Sequence, residues 1–362
     1  MTGAARARKN QILGDLMSMQ SSASSNETAL SAPSSRTLQG ILCVLLGMLF
    51  FVAQDALMKT LLLSYPIWIL LFARSVISVG ILVPLILWLG EPHRLLTPLW
   101  PLHMLRGALF AAGFSLFYAA FPFMGLAEVS TIFFSAPLIV AVLAAVWLRE
   151  SIGRHRIVAL IVGFAGVVIA INPTADGFTM VSALPLACAV FYAVGQVLAR
   201  HIGDRETSLT LGLHTLLFAG VFILPMGWLV SLLIPASDAH PHLAFALPHQ
   251  ITQHWYMIVI LGIIGMMGYI LLSRAYQIAS ASAIAPFDYS YLPLAALLGY
   301  LLWGEVPPHT TFIGMVLIVA SGMYTAYREL RVSRTADDNP PTAQTVFTPG
   351  GPAVVLVDAL DA

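Results

Sequence analysis

LQGILCVLLGMLFFVAQDALMKTLLLSYPIWILLFARSVISVGILVPLILWL, residues 38–89, consists of two apolar runs of membrane-crossing length meeting at Ser64-Tyr65-Pro66. Three ionic residues sit inside them: Asp55, Lys59 and Arg74. A charge at such a depth costs about 3 kcal/mol on insertion scales, so it needs a partner, water or a function. With a rise of about 1.5 Å per residue, Asp55 lies roughly 10 Å below the Ser64 end of its helix. Arg74 lies roughly 12 Å below the Pro66 end of the next. Helices joined by so short a turn are antiparallel neighbours, so the two depths match. Asp55 and Lys59, at i and i+4, share a helical face. The cluster has two readings. Either it binds a solute or a proton, or it is an ion-pair network fixing the first two helices, with Lys59 snorkelling outward.

Composition sets the class. Of 362 residues, 59% are hydrophobic and 9% charged, and the mean hydropathy is +0.86. Soluble domains carry about 25% charged residues, so this chain cannot cover a water-facing surface and is read as a polytopic membrane protein. No basic run offers a nucleic-acid surface. Cys43 and Cys188 fall in apolar runs at different depths, which argues against a disulfide. Residues 1–37 are polar and Ser-rich, with no apolar core ahead of a small-residue cleavage site; they are expected to form a disordered cytoplasmic tail. Asn26-Glu27-Thr28 matches a glycosylation acceptor, a tripeptide common by chance. Residues 335–362, rich in Pro, Asp and Thr, are expected to form a second disordered tail.

Breaks at Pro, Gly and charge clusters give ten spans, near 38–62, 66–89, 101–121, 126–147, 155–172, 180–200, 208–234, 254–277, 283–303 and 311–328. With the N-terminus inside, fifteen Lys and Arg fall on or near the inner side. Only Lys59 and Arg74 belong to the outer half. Lys and Arg favour the cytoplasm, so both termini are expected there.

The chain also repeats. A shift of 141 pairs Phe50 with Phe191, Leu57 with Leu198, Leu70 with Leu211, Pro84 with Pro225 and Lys59 with Arg200. A shift of 155 pairs Gly107 with Gly262, Gly113 with Gly268, Ala120 with Ala275 and Glu150 with Glu305. Each copy therefore holds five spans, and an odd number turns the second copy upside down. The fold expected is all-α: ten transmembrane helices in two inverted five-helix repeats, 38–173 and 180–328. Such repeats underlie many secondary transporters, whose solute site lies between the halves near the midplane.

Two stretches carry a family resemblance. AEVSTIFFSAPLIVAVLAAVWLRE (127–150) precedes a Gly-rich span ending in Ile171-Asn172-Pro173, and ASAIAPFDYSYLPLAALLGYLLWGE (281–305) ends in Gly-Glu. With these the chain resembles the drug/metabolite transporter superfamily, of the EamA type, across roughly residues 38–328. Arg149-Glu150 departs from the family's Gly-Glu in the first copy. Asp55-Ala-Leu-Met-Lys59, Tyr65-Pro66 and Arg74 are similar to a branch with S-adenosylmethionine-uptake and riboflavin-uptake members. The resemblance implies a ten-helix bundle around a central cavity, with spans five and ten peripheral. It also implies alternating access driven by a gradient, with H+ or exchange coupling.

The function expected is secondary transport of a small polar or amphiphilic metabolite, of the amino-acid, S-adenosylmethionine or riboflavin-like class, across a bacterial inner membrane. The chain is expected to work as a monomer or homodimer in the lipid bilayer, without a cofactor. Candidate solute-binding residues are Asp55, Lys59, Arg74, Tyr118, Tyr192, Gln196 and Tyr269. Gln196 and Thr215 are the neutral repeat partners of Asp55 and Arg74, and a broken symmetry at a charge points to function. Candidate gate or proton-coupling residues are Asp55, Arg274 and Asp288, with an Arg274–Asp288 salt bridge expected near the inner face. Glu128 reads as interfacial, and Glu150 and Glu305 as caps of the segments that follow them. Pro137, Pro286 and Pro293 can interrupt their helices. His240, His242, His249 and His254 lack the accompanying ligands of a metal site. The competing reading is an integral-membrane enzyme acting on a lipid or isoprenoid. It would need acidic or His motifs gathered at one interface, whereas the acids here are scattered singly.

Overall fold

The computed structural model describes residues 35–147, 154–173, 180–202, 205–233, 241–245, 254–279, 284–333, 345–346 and 354–355. Asn26, Glu150, His240 and His249 lie outside them, as does most of the N-terminal tail. The helices are α1 (Ser35–Leu61), α2 (Ile67–Leu89), α3 (Trp100–Ala119), α4 (Leu126–Phe133), α5 (Ala136–Trp147), α6 (Arg154–Ile171), α7 (Ala183–Ile202), α8 (Ser208–Leu233), α9 (Trp255–Ile278), α10 (Tyr291–Trp303) and α11 (His309–Ser333). Nine spans among the described residues are long and apolar enough to cross a membrane, α4 and α5 together making one of them. The tenth is α10 with the 3-10 turn Ala285–Ser290 ahead of it. In the tail, Thr345–Val346 pairs antiparallel with Val354–Val355.

The ten crossings put the start of α1 and the end of α11 on one side, here the terminal side; the opposite face is the far side. The packing has the two-fold pattern that an inverted repeat requires. Helix α1 packs on α9 as α7 packs on α3, α2 packs on α9 as α8 packs on α3, and α10 packs on α1 as α5 packs on α7. Helices α2 and α8 meet across the axis, as do α6 and α11. The α6–α11 pair is peripheral, because most of each helix faces outward.

Small residues set the closest approaches. A Cβ on Gly47 would meet Gly268 O at 3.3 Å, and one on Gly268 would meet Gly47 O at 3.1 Å, so α1 and α9 touch backbone to backbone. Gly166 and Gly314 do the same for α6 and α11, at 3.0 and 2.5 Å. Without a hydrophobic drive between helices in lipid, such close packing is a main source of association.

The fourth and ninth spans are both interrupted, and at matching places. Span four breaks at Phe134–Ser135, just before Pro137, whose ring nitrogen cannot donate to the preceding turn. Span nine tightens into the 3-10 turn 285–290, with Pro286 at its start. The shift of 155 sets Ser135 on Ser290, so the interruption belongs to the repeat.

Candidate functional site

Two tiers of polar side chains lie inside the bundle. The far tier is built on Asp55, which is fully buried. Its Oδ1 accepts from Tyr118 at 2.7 Å and from Gln54 Nε2 at 3.2 Å, and its Oδ2 accepts from the Tyr291 hydroxyl. Arg74 does not touch the carboxylate. It donates to the Tyr118 hydroxyl at 3.0 Å, so one phenol stands between anion and cation. The guanidinium lies 5.8, 5.9 and 5.7 Å from the ring centres of Phe110, Phe114 and Tyr118. Three donors on one carboxylate, with a cation one hydroxyl away, offset the cost of burying the charge.

The inner tier is a cleft of about 20 Å³, room for a single water-sized body, among Arg106, Phe110, Tyr192, Gln196 and Thr215. Gln196 and Thr215 stand here as the repeat partners of Asp55 and Arg74. Gln196 donates to the Tyr192 hydroxyl. Arg106 is buried, with Nε donating to Gly195 O at 3.3 Å. Tyr269 donates to Ser208 O and packs against Gly212, tying α9 to α8. Aromatic faces, amide and hydroxyl groups and one guanidinium thus line a single small cleft.

Each end of the bundle is closed by a polar contact that bridges the two repeats, an ion pair on the far side and a histidine–carboxylate hydrogen bond on the terminal side. On the far side Lys59 pairs with Glu305, donates to Met124 O at 2.9 Å and lies 5.2 Å from the Trp303 ring centre. Glu305 also accepts from Leu126 N at 2.9 Å, capping α4 from the other repeat. On the terminal side His103 Nε2 meets Glu206 Oε2 at 2.6 Å, and Thr97 donates to the other oxygen. Arg106 approaches His103 Nδ1 at 3.5 Å, which places the imidazole proton on the Nε2 that faces Glu206. His93 contacts Thr207 at 2.7 Å, and Arg94 N donates to Thr210 Oγ1 at 3.0 Å, so the connection after α2 is sewn to the start of α8.

Glu206 lies between α7 and α8, outside the spans. Burial pushes its carboxyl up, but hydrogen bonds from His103 and Thr97 outweigh that and hold it below the usual carboxylate range. A carboxyl that titrates lower when folded contributes its full stabilisation at neutral pH, and loses it as pH falls through the native value. Glu206→Gln is therefore expected to melt at a lower temperature than wild type at pH 7. The gap should close on acidification through the lowered native value, below the ordinary glutamate range, as Glu206 takes up its proton. Thermal melts of the two purified proteins across pH check this; a gap of constant size contradicts it.

The geometry corrects two expectations. Lys59 shares a helical face with Asp55, yet its long side chain reaches away to Glu305, so it is no part of the Asp55–Arg74 group. Arg274 and Asp288 form no salt bridge: Arg274 is exposed and donates to Gln277 at 3.4 Å, while Asp288 is buried and accepts from Tyr276 at 2.6 Å. Neighbouring positions at the inner ends of α9 and the next span do not fix direction, and these two side chains face opposite ways. Glu305 is a cap as expected, but of a helix in the other repeat. Sequence reasoning missed Arg106, counted only as an inner-end charge, and also Gln54, His103 and Glu206. Among the described residues no group of three or more metal-ligating side chains occurs, and His254 instead contacts the Tyr65 hydroxyl at 3.1 Å.

Comparison with known proteins supports this architecture. The model of the EamA-like transporter family matches residues 38–172 and again 179–326. The chain is 29% identical over 304 residues to a riboflavin transporter of Vibrio cholerae, covering 82% of this chain and 96% of that protein. It is 26% identical over 293 residues to an S-adenosylmethionine uptake transporter of Rickettsia bellii, covering 80% and 94%. A solved structure titled "Crystal structure of protein" aligns with a TM-score of 0.53 at 19% identity, over 83% of this chain and 99% of that one, a likeness of fold. With both halves matched in turn, the chain belongs to the EamA-like transporter family.

Proposed function

We propose that the protein moves a small polar metabolite with a planar face across the inner membrane by alternating access, with both termini in the cytoplasm. The observation that carries this reading is the polar and aromatic cleft at Arg106, Phe110, Tyr192, Gln196 and Thr215, lying between two end latches that each join the two repeats. Aromatic faces suit a planar ring, Gln196 and Thr215 suit its polar edge, and Arg106 suits an electron-rich group on it. Opening Lys59–Glu305 would lead the cleft to the far side; opening His103–Glu206 would lead it to the terminal side. Asp55 and Arg74 stand one tier above the cleft, with Arg74 against Phe110 of its lining, and orient the solute from there. The similarity to riboflavin and S-adenosylmethionine transporters agrees with a flat heteroaromatic ring as the recognised part. The charge bias of fifteen Lys and Arg to two supports the orientation.

The test uses the full chain in proteoliposomes, with labelled riboflavin and labelled S-adenosylmethionine assayed separately. Saturable uptake of at least one is expected, reduced tenfold or more by Arg106→Ala. Uptake of neither above empty vesicles would sink the solute class.

A further inference from the structure

Besides Glu206 at the terminal side, two carboxyl groups are buried among the described residues, and they are treated very differently. Asp55 has three donors and a nearby guanidinium. Asp288, 5% exposed, has one donor, Tyr276, on Oδ2, and its Oδ1 has no hydrogen-bond partner among the described residues. It sits in the interrupted part of span nine, where Ser290 Oγ is likewise buried without a partner. The elements packed against that turn offer it no described cation. On α1, from Thr37 onward where side chains are described, the titratable groups are Cys43, Asp55 and Lys59, and Lys59 is held by Glu305. On α9 they are Tyr256, Tyr269, Arg274 and Tyr276, with Arg274 exposed. On α10 they are Tyr291 and Tyr300, and on α11, up to Arg328 where side chains are described, His309, Tyr324, Tyr327 and Arg328, the last four all exposed. Tyr276 is also within electrostatic range of Tyr192, which lines the cleft.

We propose that Asp288 is the proton-carrying residue of the transport cycle, neutral while the bundle is closed and ionised when its surroundings open to water. A buried carboxylate with a single donor and no counter-charge among the described residues is strongly disfavoured, whereas a carboxylic acid is tolerated there. Closure therefore requires one proton, taken from water onto Oδ1, and opening returns that proton to water. No other bond forms or breaks. The interrupted helix lets the turn 285–290 shift without unwinding a full span, which couples the proton to the movement. Asp55, held by its three donors, keeps its place. The consequence for transport rests on the function proposed above, but the first test below needs no solute.

Infrared difference spectra between acid and alkaline pH on the purified full chain read protonated buried carboxyls directly. Wild type is expected to show a carboxylic-acid carbonyl band that titrates away with rising pH. Asp288→Asn should lose that band, and Asp55→Asn should keep it. Tyr276→Phe keeps the carboxyl but removes the one donor that favours its charged form, so the band should persist about one pH unit further into alkali. This variant tests the idea even if Asp288→Asn does not fold. An unaltered band in Asp288→Asn, an unmoved midpoint in Tyr276→Phe, or a band abolished by sodium at constant pH would each overturn the proposal. In proteoliposomes, Asp288→Asn should still exchange labelled riboflavin across the membrane but fail to concentrate it under a pH gradient. Concentration by the variant equal to wild type also overturns the assignment. Should wild type move no riboflavin, that solute fails, while the infrared result still judges Asp288.

Discussion

Asp55→Asn is expected to bring flux to background, and Arg74→Lys to lower it at least tenfold, with both proteins still inserted and folded. Asp55 accepts from two phenols and one amide, all aimed at a charged carboxylate. Asparagine replaces one of those oxygens with an NH2 group, so one donor meets a donor and its hydrogen bond is lost. The same change leaves Arg74 without a counter-charge beyond Tyr118. Hydrogen bonds to charged groups are worth about 1.5–3 kcal/mol each, enough to move Tyr118 or Tyr291 from its place. For Arg74 the shape of the group matters more than its charge. Its flat guanidinium sits beside three rings, and a lysine ammonium supplies the charge without that plane. Tyr118→Phe belongs in the same series, because it removes the hydroxyl that joins Asp55 to Arg74. Flux at equal membrane abundance is the measurement. Full flux in Asp55→Asn and Arg74→Lys together would assign the group to structure and leave the solute to the inner tier.

How much of this was legible depended on the range of the interaction. Apolar run length and the two offsets carry the spans and the repeat, because both are summed over many residues. The matched depth of Asp55 and Arg74 was legible since both lie on adjacent helices joined by a short turn. Tyr118, which intervenes between them, comes from a third helix whose rotation no local pattern records. Lys59 was misplaced for a related reason. Its partner Glu305 is 246 residues away, and a long side chain with four rotatable bonds goes to the charge rather than to the face it starts on. Arg106 read as one of the inner-side charges because it lies six residues into α3, yet it is buried, with His103 and Glu206 around its head. Glu206 falls in a short polar connection where no local pattern marks it as buried. Pro137 and Pro286 did mark the interruptions, since proline acts on its own turn.

Clamping either end shut is expected to stop transport completely. Lys59–Glu305 and His103–Glu206 lie at opposite faces, and each joins the first repeat to the second. Alternating access needs one to part while the other holds, so neither can stay closed through a full cycle. A ligand that favours one state shifts a population and leaves residual flux, whereas a covalent clamp removes one state altogether. The experiment places cysteines at 59 and 305, or at 103 and 206, after Cys43→Ser and Cys188→Ala remove the native thiols. A bifunctional thiol reagent long enough to span the replaced side chains then joins each pair, and reductant releases it. Flux should fall to background on joining either pair and return on reduction. The far-side pair is partly exposed and should react at rest. His103 is fully buried, so the terminal-side pair should react chiefly while solute is driving turnover, when that end opens. Unchanged flux with the far-side pair joined would mean that the repeats do not separate there, and the pair would then be a fixed strut.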